Sequence, residues 1–119
     1  MQRPNIPNIV FENTLSVEKF QNQTLRPIIK MKDEVLLHII NEALLKKNKN
    51  YQNLIQAEKI IWIKNTITKD LKLNHILKGI ILGNLYLEEL DFYQKHQKEC
   101  AKRMIQIIIE RYLDRSNIK

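Results

Sequence analysis

The chain has only two glycines and three prolines among its 119 residues. β-Sandwiches and parallel sheets need many tight turns, and turns draw heavily on these two residue types. The sequence also contains no Asn-Gly or Asp-Gly dipeptide, the strongest short signal of a β-hairpin. Helices joined by short connections are the economical alternative, and we therefore predict an all-α protein.

Cysteine is equally scarce, because Cys100 is the only one in the chain. No internal disulfide can form, which agrees with a reducing compartment. No apolar run approaches the roughly 20 residues needed to cross a bilayer, and the first residues lack the pattern of a secretory signal. We predict a cytoplasmic protein that does not contact membranes.

Positive charge is in excess but is not concentrated. The net charge is +7 and the isoelectric point is about 9.6. Residues 1–60 carry 9 basic and 6 acidic side chains, and residues 61–119 carry 11 and 7. A dedicated nucleic-acid arm would gather its charge in one segment. A solvated basic surface is the first interpretation, and contact with nucleic acid is the alternative.

The length fits a single compact domain, for which we predict five or six helices over residues 16–119. Residues 1–15 form an extended segment, because Pro4 and Pro7 favour extended backbone. This segment nevertheless carries apolar side chains that would be wasted in water. They are predicted to contact protein, either in the same domain or in a partner chain: Ile6, Ile9, Val10 and Phe11.

Proline 27 is predicted to mark a joint between the first two helices. Ser16 can cap a short first helix, and Thr24 can cap a second one that carries Pro27 in its first turn. Apolar positions from Ile28 onward predict about five turns of amphipathic helix. One helix continuous through Pro27 is the alternative. Arg26 and Lys30 flank the joint and are the residues to mutate there.

Four further helices are predicted in the second half. The third runs from about Gln52 to Lys69. The fourth begins near Asp70, is apolar over much of its circumference and is predicted to be central, with Gly79 making room for a crossing helix and Gly83 ending it. Residues 86–115 fit either one rod or two helices, and we predict two.

The spacing of His96 and Cys100 is the strongest indication of a metal site in the sequence. They are four residues apart on a predicted helix and could face one ion, but zinc needs at least one more ligand. His38 or His75 would have to supply it from another helix. We interpret His96 as a surface residue and Cys100 as a core residue. No catalytic group, metal or cofactor is predicted.

The best electrostatic feature is a basic stripe along the start of the last helix. Its cations are Lys95, Lys98, Lys102 and Arg103. Such a stripe fits an acidic protein surface or several phosphates. Lys46, Lys47 and Lys49 form a second cluster, which would assist nucleic-acid binding if both clusters share one face.

Three segments carry a family resemblance. They are "SVEKFQNQTLRPIIKMKDEVL" at 16–36, "LKGIILGNLYLEEL" at 77–90 and "KRMIQIIIER" at 102–111. Together they resemble a family of short all-helical bacterial proteins often labelled "glyoxalase". The resemblance implies a helical fold, and its label implies a lyase. It assigns a role to no residue, and the strand-borne ligands and H-x-H-x-D-H motif of known glyoxalases are missing.

Three functions therefore remain open. The first is a non-enzymatic binding or adaptor protein that acts through protein–protein contacts, or as a homodimer, with Ile6–Phe11 and the basic stripe as its surfaces. The alternative is a nucleic-acid-binding protein that uses its basic helix faces. A glyoxalase-type lyase, suggested by the family label, is the second alternative.

Overall fold

The structure is a computed structural model, and it describes residues 16–116 of the chain. Within this range there are six main helices, one short 3-10 helix and no β-strand, which confirms the all-α prediction. The helices are α1 (residues 17–31), α2 (Asp33–Lys47), α3 (Gln56–Lys69), α4 (Leu71–Leu82), α5 (Leu87–Lys95) and α6 (Gln97–Arg115). The predicted contact residues Ile6, Ile9, Val10 and Phe11 lie outside the described range.

Two helix starts follow directly from capping side chains. The Ser16 hydroxyl accepts a hydrogen bond from the Lys19 backbone N–H at 3.1 Å. The Asp70 carboxylate accepts one from the Leu73 N–H at 3.2 Å. Each bond satisfies an N–H that has no partner within its own helix, so both caps lie where the sequence predicts them.

Proline 27 lies inside α1, so the prediction that it begins a helix is wrong. The Arg26 N–H bonds to the Gln21 carbonyl, five residues back, as in a π-helix. Proline in a regular α-helix loses a hydrogen bond and crowds the carbonyl four residues back. The wider turn directly before Pro27 accommodates both effects. Thus α1 is α-helical over Val17–Phe20, π-helical over Gln21–Leu25 and α-helical again over Arg26–Met31.

Threonine 24 lies within the π-helical segment and does not cap a helix, contrary to the prediction. Its side chain is fully buried, and its hydroxyl has no hydrogen-bond partner in residues 16–116. The helix ends at Lys32, whose φ of −102° and ψ of 13° depart from helical values. The helix predicted from Ile28 is therefore divided, and α2 begins at Asp33.

Helix α6 is the centre of the fold, and the prediction that α4 is central is wrong. Helix α6 packs against all five other helices. Helix α4 leaves Leu71 67% exposed and Ile76 42% exposed, so its apolar residues are not all turned inward. The run of three isoleucines from Ile107 makes α6 apolar over a wide arc. Its buried residues are Cys100, Met104, Ile105, Ile107, Ile108, Ile109 and Tyr112.

The last two helices are separate, as predicted. They divide at His96, which has φ −125° and ψ 33°. Its N–H points toward the carbonyls of Phe92 and Tyr93, at 3.2 and 3.1 Å, and so closes α5. The Cys100 N–H then bonds to the His96 carbonyl at 2.9 Å as α6 begins.

The local features around α3 and α4 differ from the predictions. A short 3-10 helix, Tyr51–Asn53, precedes α3, which begins at Gln56 and not near Gln52. Gly79 makes no room for a crossing helix, because a Cβ built there meets nothing within 4 Å. Across the described part of the chain, no helix is both long and apolar enough to cross a membrane.

Candidate functional site

Two cations of the basic stripe are paired with acids of their own helices. The Lys95 Nζ lies 3.1 Å from Oδ2 of Asp91, one turn earlier in α5. The Arg103 Nη2 lies 3.1 Å from Oε1 of Glu99 in α6. The other end of the same guanidinium donates from Nη1 to Oε1 of Gln21 in α1, at 2.7 Å. Arg103 thus joins α6 to α1.

The other two cations of the stripe, Lys98 and Lys102, are exposed, with no acidic partner in residues 16–116. Lys102 lines a shallow cleft of about 350 Å³ between α4 and α6, and so does Lys78. None of the described residues lining this cleft is acidic. They are Thr68, Asn74, Lys78, Ala101, Lys102, Ile105, Gln106 and Ile109.

The second basic cluster lies at the end of α2, and one of its members is paired. The Lys47 Nζ lies 2.9 Å from Oδ2 of Asp70. This hydrogen-bonded ion pair, together with the bond from the Leu73 N–H, holds the pKa of Asp70 below its usual value. Lys46 and Lys49 are exposed to solvent.

Histidine 96 and Cys100 lie in different surroundings. The exposed His96 imidazole stacks against the Phe92 ring, with 4.5 Å between the ring centroids. Cys100 is fully buried, and this burial raises the pKa of its thiol to about 11. His38 and His75 are both exposed on other helices. Residues 16–116 contain no group of three His, Cys, Asp or Glu side chains that could hold a metal ion.

A groove lies between α1 and α6, here called the α1–α6 groove, with a volume of about 1020 Å³. Its deepest side chains are apolar: Ile29 and Ile107 are buried, and Pro27 and Met31 are half-buried. Its exposed rim is charged. The residues that complete the lining are Asn22, Arg26, Lys30, Glu110, Arg111 and Asp114.

The rim charges are separated by sign. Arg26 and Lys30, the cationic row, are four residues apart on α1, and Glu110 and Asp114, the acidic row, are four apart on α6. Residues at this spacing lie on the same face of a helix. The groove therefore has a cationic wall and an acidic wall above an apolar floor.

Buried Asp33 holds the remaining arginine of the groove. Two guanidinium nitrogens of Arg111 lie 3.3 and 2.9 Å from its Oδ2, and Arg115 Nη1 lies 2.7 Å away. Asp33 is only 7% exposed, so this arrangement fixes Arg111 in place. Its single negative charge is shared by two arginines, so a net positive charge remains beside the acidic row. The α6 wall is therefore less strongly negative than Glu110 and Asp114 alone would make it.

The cationic wall directly follows the π-helical part of α1. The Arg26 Nε donates to Oδ1 of Asn22, a residue of the π segment, at 3.0 Å. π-Helical turns are rare and occur often at functional sites. Pro27, directly after the segment, lies in the groove lining.

Sequence reasoning did not predict this groove, although it singled out two residues that line it. Arg26 and Lys30, selected because they flank Pro27, both line it. Glu110 and Asp114 were missed, because nothing local in the sequence places α6 beside α1. Their spacing of four residues was the available signal, but such pairs are common on solvated helix faces.

Comparison of the chain with protein-family models, curated proteins and solved structures finds no match in any of the three. The resemblance to the glyoxalase-labelled family, and the lyase activity that it implies, therefore stay predictions.

Proposed function

We propose that this chain is a non-enzymatic helical binding protein of the cytoplasm, an adaptor that holds a segment of a protein partner in the α1–α6 groove. The observation that carries this proposal is the groove itself, with its apolar floor between two charged walls. An apolar centre surrounded by a polar rim is the usual anatomy of a protein interface.

The dimensions of the groove suit a polypeptide segment. Its lining on α1 extends from Asn22 to Met31, which at 1.5 Å per residue corresponds to about 13 Å. That length accommodates roughly two turns of a helix. The volume of about 1020 Å³ is at the upper end of the range for small-molecule sites, so a larger occupant fits it better.

Affinity capture with matched variants tests this proposal. Wild-type protein, a groove variant (Arg26→Glu with Lys30→Glu) and a control variant (Lys64→Glu with Lys72→Glu) are each used to capture partners from native cells. Both variants change the net charge equally, and Lys64 and Lys72 are exposed outside the groove. Mass spectrometry and nucleic-acid measurement identify what each one retains.

We expect a protein that is retained by the wild type and the control and is lost from the groove variant. Equal retention by all three proteins would place the contact elsewhere, for example on Ile6, Ile9, Val10 and Phe11. Material that is released by nuclease would favour the second candidate function described next.

The second candidate is nucleic-acid binding, favoured by the cleft between α4 and α6. Lys78 and Lys102 line it, and exposed Lys98 lies one turn before Lys102 on α6. Phosphate contacts of this kind weaken steeply as salt rises. Fluorescence anisotropy with labelled RNA and DNA at 50 and 200 mM salt tests it. A flat salt dependence, or equal binding by a Lys78→Glu, Lys102→Glu variant, would exclude it.

A further inference from the structure

The two charged rows of the α1–α6 groove have no ion-pair partners within the described part of the chain. The cationic row (Arg26, Lys30) and the acidic row (Glu110, Asp114) both line the same groove. No ion pair within 4.0 Å joins one row to the other in residues 16–116. Both rows are thus available to charges on an occupant.

The two helices that form the walls of the groove, α1 and α6, run parallel to each other. At one end Gln21 of α1 bonds to Arg103 of α6, and at the other Asp33, just after α1, bonds to Arg111. These two contacts hold the walls at a fixed spacing. The groove is therefore preformed, and little conformational entropy is lost in ordering it when an occupant binds.

The walls also determine what kind of occupant fits. Both are helices, whose backbone N–H and C=O groups bond within the helix, so they offer no edge to which an extended strand could pair. An apolar stripe flanked by charges is the usual surface of an amphipathic helix. Nucleic acid fits poorly, because Glu110 and Asp114 would repel its phosphates.

We propose that the α1–α6 groove binds an amphipathic helix of a partner protein, with acidic side chains against the cationic row and basic side chains against the acidic row. The inference rests on the proposed function and adds the charge pattern of the partner. The apolar face of the helix lies on the half-buried side chains of Pro27 and Met31, above the buried Ile29 and Ile107. Because the charged residues of both rows are exposed to solvent, their pairing with the partner helix contributes mainly to selectivity and association rate.

A displayed library of 18-residue helices tests the charge pattern. Each member has an apolar face of Leu, Ile, Phe or Ala, and each flank is either Glu or Lys. Selection on wild-type protein is expected to enrich helices with one acidic and one basic flank by about fivefold or more over helices with uniform flanks. The acidic flank can lie on either side of the apolar face. A helix that binds in the opposite direction presents its two flanks to the opposite walls of the groove.

Charge reversal of each wall provides the decisive comparison. With Arg26→Glu and Lys30→Glu both walls are acidic, so selection should shift to helices with two basic flanks. With Glu110→Lys and Asp114→Lys it should shift to two acidic flanks. The Lys64→Glu, Lys72→Glu control should select as the wild type does. Circular dichroism confirms that each variant is folded before selection.

Other results would overturn the inference. These are no enrichment on folded wild-type protein, or enrichment that does not depend on the flanks. Loss of a wild-type dimer in both wall variants, measured by sedimentation, would identify a second copy as the occupant. Competition by a synthetic peptide of residues 1–15 would identify this chain's own segment. If the capture experiment succeeds while the library shows no charge preference, the proposed function stands and this inference fails.

Discussion

Asp33 and Arg111 are 78 residues apart in the sequence, yet two guanidinium nitrogens of Arg111 bond to one carboxylate oxygen of Asp33. Arg115 reaches the same oxygen at 2.7 Å. The arrangement ties the first residue of α2 to the last two turns of α6. It also holds Arg111 at the edge of the α1–α6 groove.

Replacement of Asp33 by Asn should destabilise the fold by about 1–3 kcal/mol, because two guanidinium groups lose their shared carboxylate. The full cost of breaking a buried pair is not expected, since the side chains of Arg111 and Arg115 remain 30% and 43% exposed. Urea unfolding followed by circular dichroism measures the change.

Asp91→Asn is the matched control for this prediction. It breaks the Lys95–Asp91 pair, whose side chains are 68% and 65% exposed. Exposed pairs of this type contribute roughly 0.3–0.5 kcal/mol. If the two substitutions cost the same, Asp33 does not anchor α2 to α6.

Gly79→Ala should stabilise the protein by about 0.5–1 kcal/mol, because glycine in a helix interior costs conformational entropy and alanine does not. Beyond the backbone of its own helix and its two chain neighbours, the new methyl group meets no atom within 4 Å, so no packing cost offsets the gain. Gly83→Ala should gain less, because its Cβ would lie 3.3 Å from the Gly79 carbonyl oxygen. Thermal unfolding of both variants distinguishes them, and equal gains would contradict this explanation.

Local features of the sequence predicted the positions of the helices better than the way in which the helices pack together. The caps at Ser16 and Asp70 follow from side chains that bond three residues ahead, so sequence alone can place them. The division of residues 86–115 into two helices was also predicted. The π-helical turn before Pro27 was not, because proline at a helix start and proline inside a widened helix give the same apolar pattern.

The groove was not predicted, since it depends on contacts between residues that are distant in the sequence. Periodicity marks the apolar side of α6 but does not reveal that Arg103 meets Gln21 across 82 residues. The error about the central helix has the same origin. Helix α4 is apolar in composition, but composition does not reveal that Leu71 and Ile76 stay exposed.

The carboxylate of Asp70 should stabilise the fold at neutral pH and lose this effect in acid. The ion pair with Lys47 and the bond from the Leu73 N–H lower its pKa in the folded state. A lowered folded pKa means that the stabilisation is present above the unfolded pKa, about 3.9, and is lost as pH falls through the folded value. NMR titration of Asp70 should therefore give a pKa below that of an unstructured aspartate.

Two substitutions separate the charge of Asp70 from its role as a cap. Asp70→Asn keeps a good capping oxygen but loses the charge, whereas Asp70→Ala loses both and should cost about 1 kcal/mol at pH 7. The stability gap between wild type and Asp70→Asn should narrow from pH 7 to pH 3. A gap that is constant over this interval would show that the Lys47 pair contributes nothing.

The Cys100 thiol should be almost inert in the folded protein. It is fully buried, and with its pKa raised to about 11 only about one thiol in a thousand is ionised at pH 8. Since the thiolate is the reactive form, labelling by iodoacetamide at pH 8 should be at least about a hundredfold slower in buffer than in concentrated urea.

The stability variants then test whether labelling of Cys100 requires the protein to unfold. If labelling requires the fold to open, the destabilised Asp33→Asn protein should react faster than wild type and the stabilised Gly79→Ala protein more slowly. The logarithm of each rate should follow the unfolding free energy. Equal rates in all three proteins would mean that Cys100 is reached without global opening. In that case local motion of α6, the helix that forms one wall of the groove, would expose it.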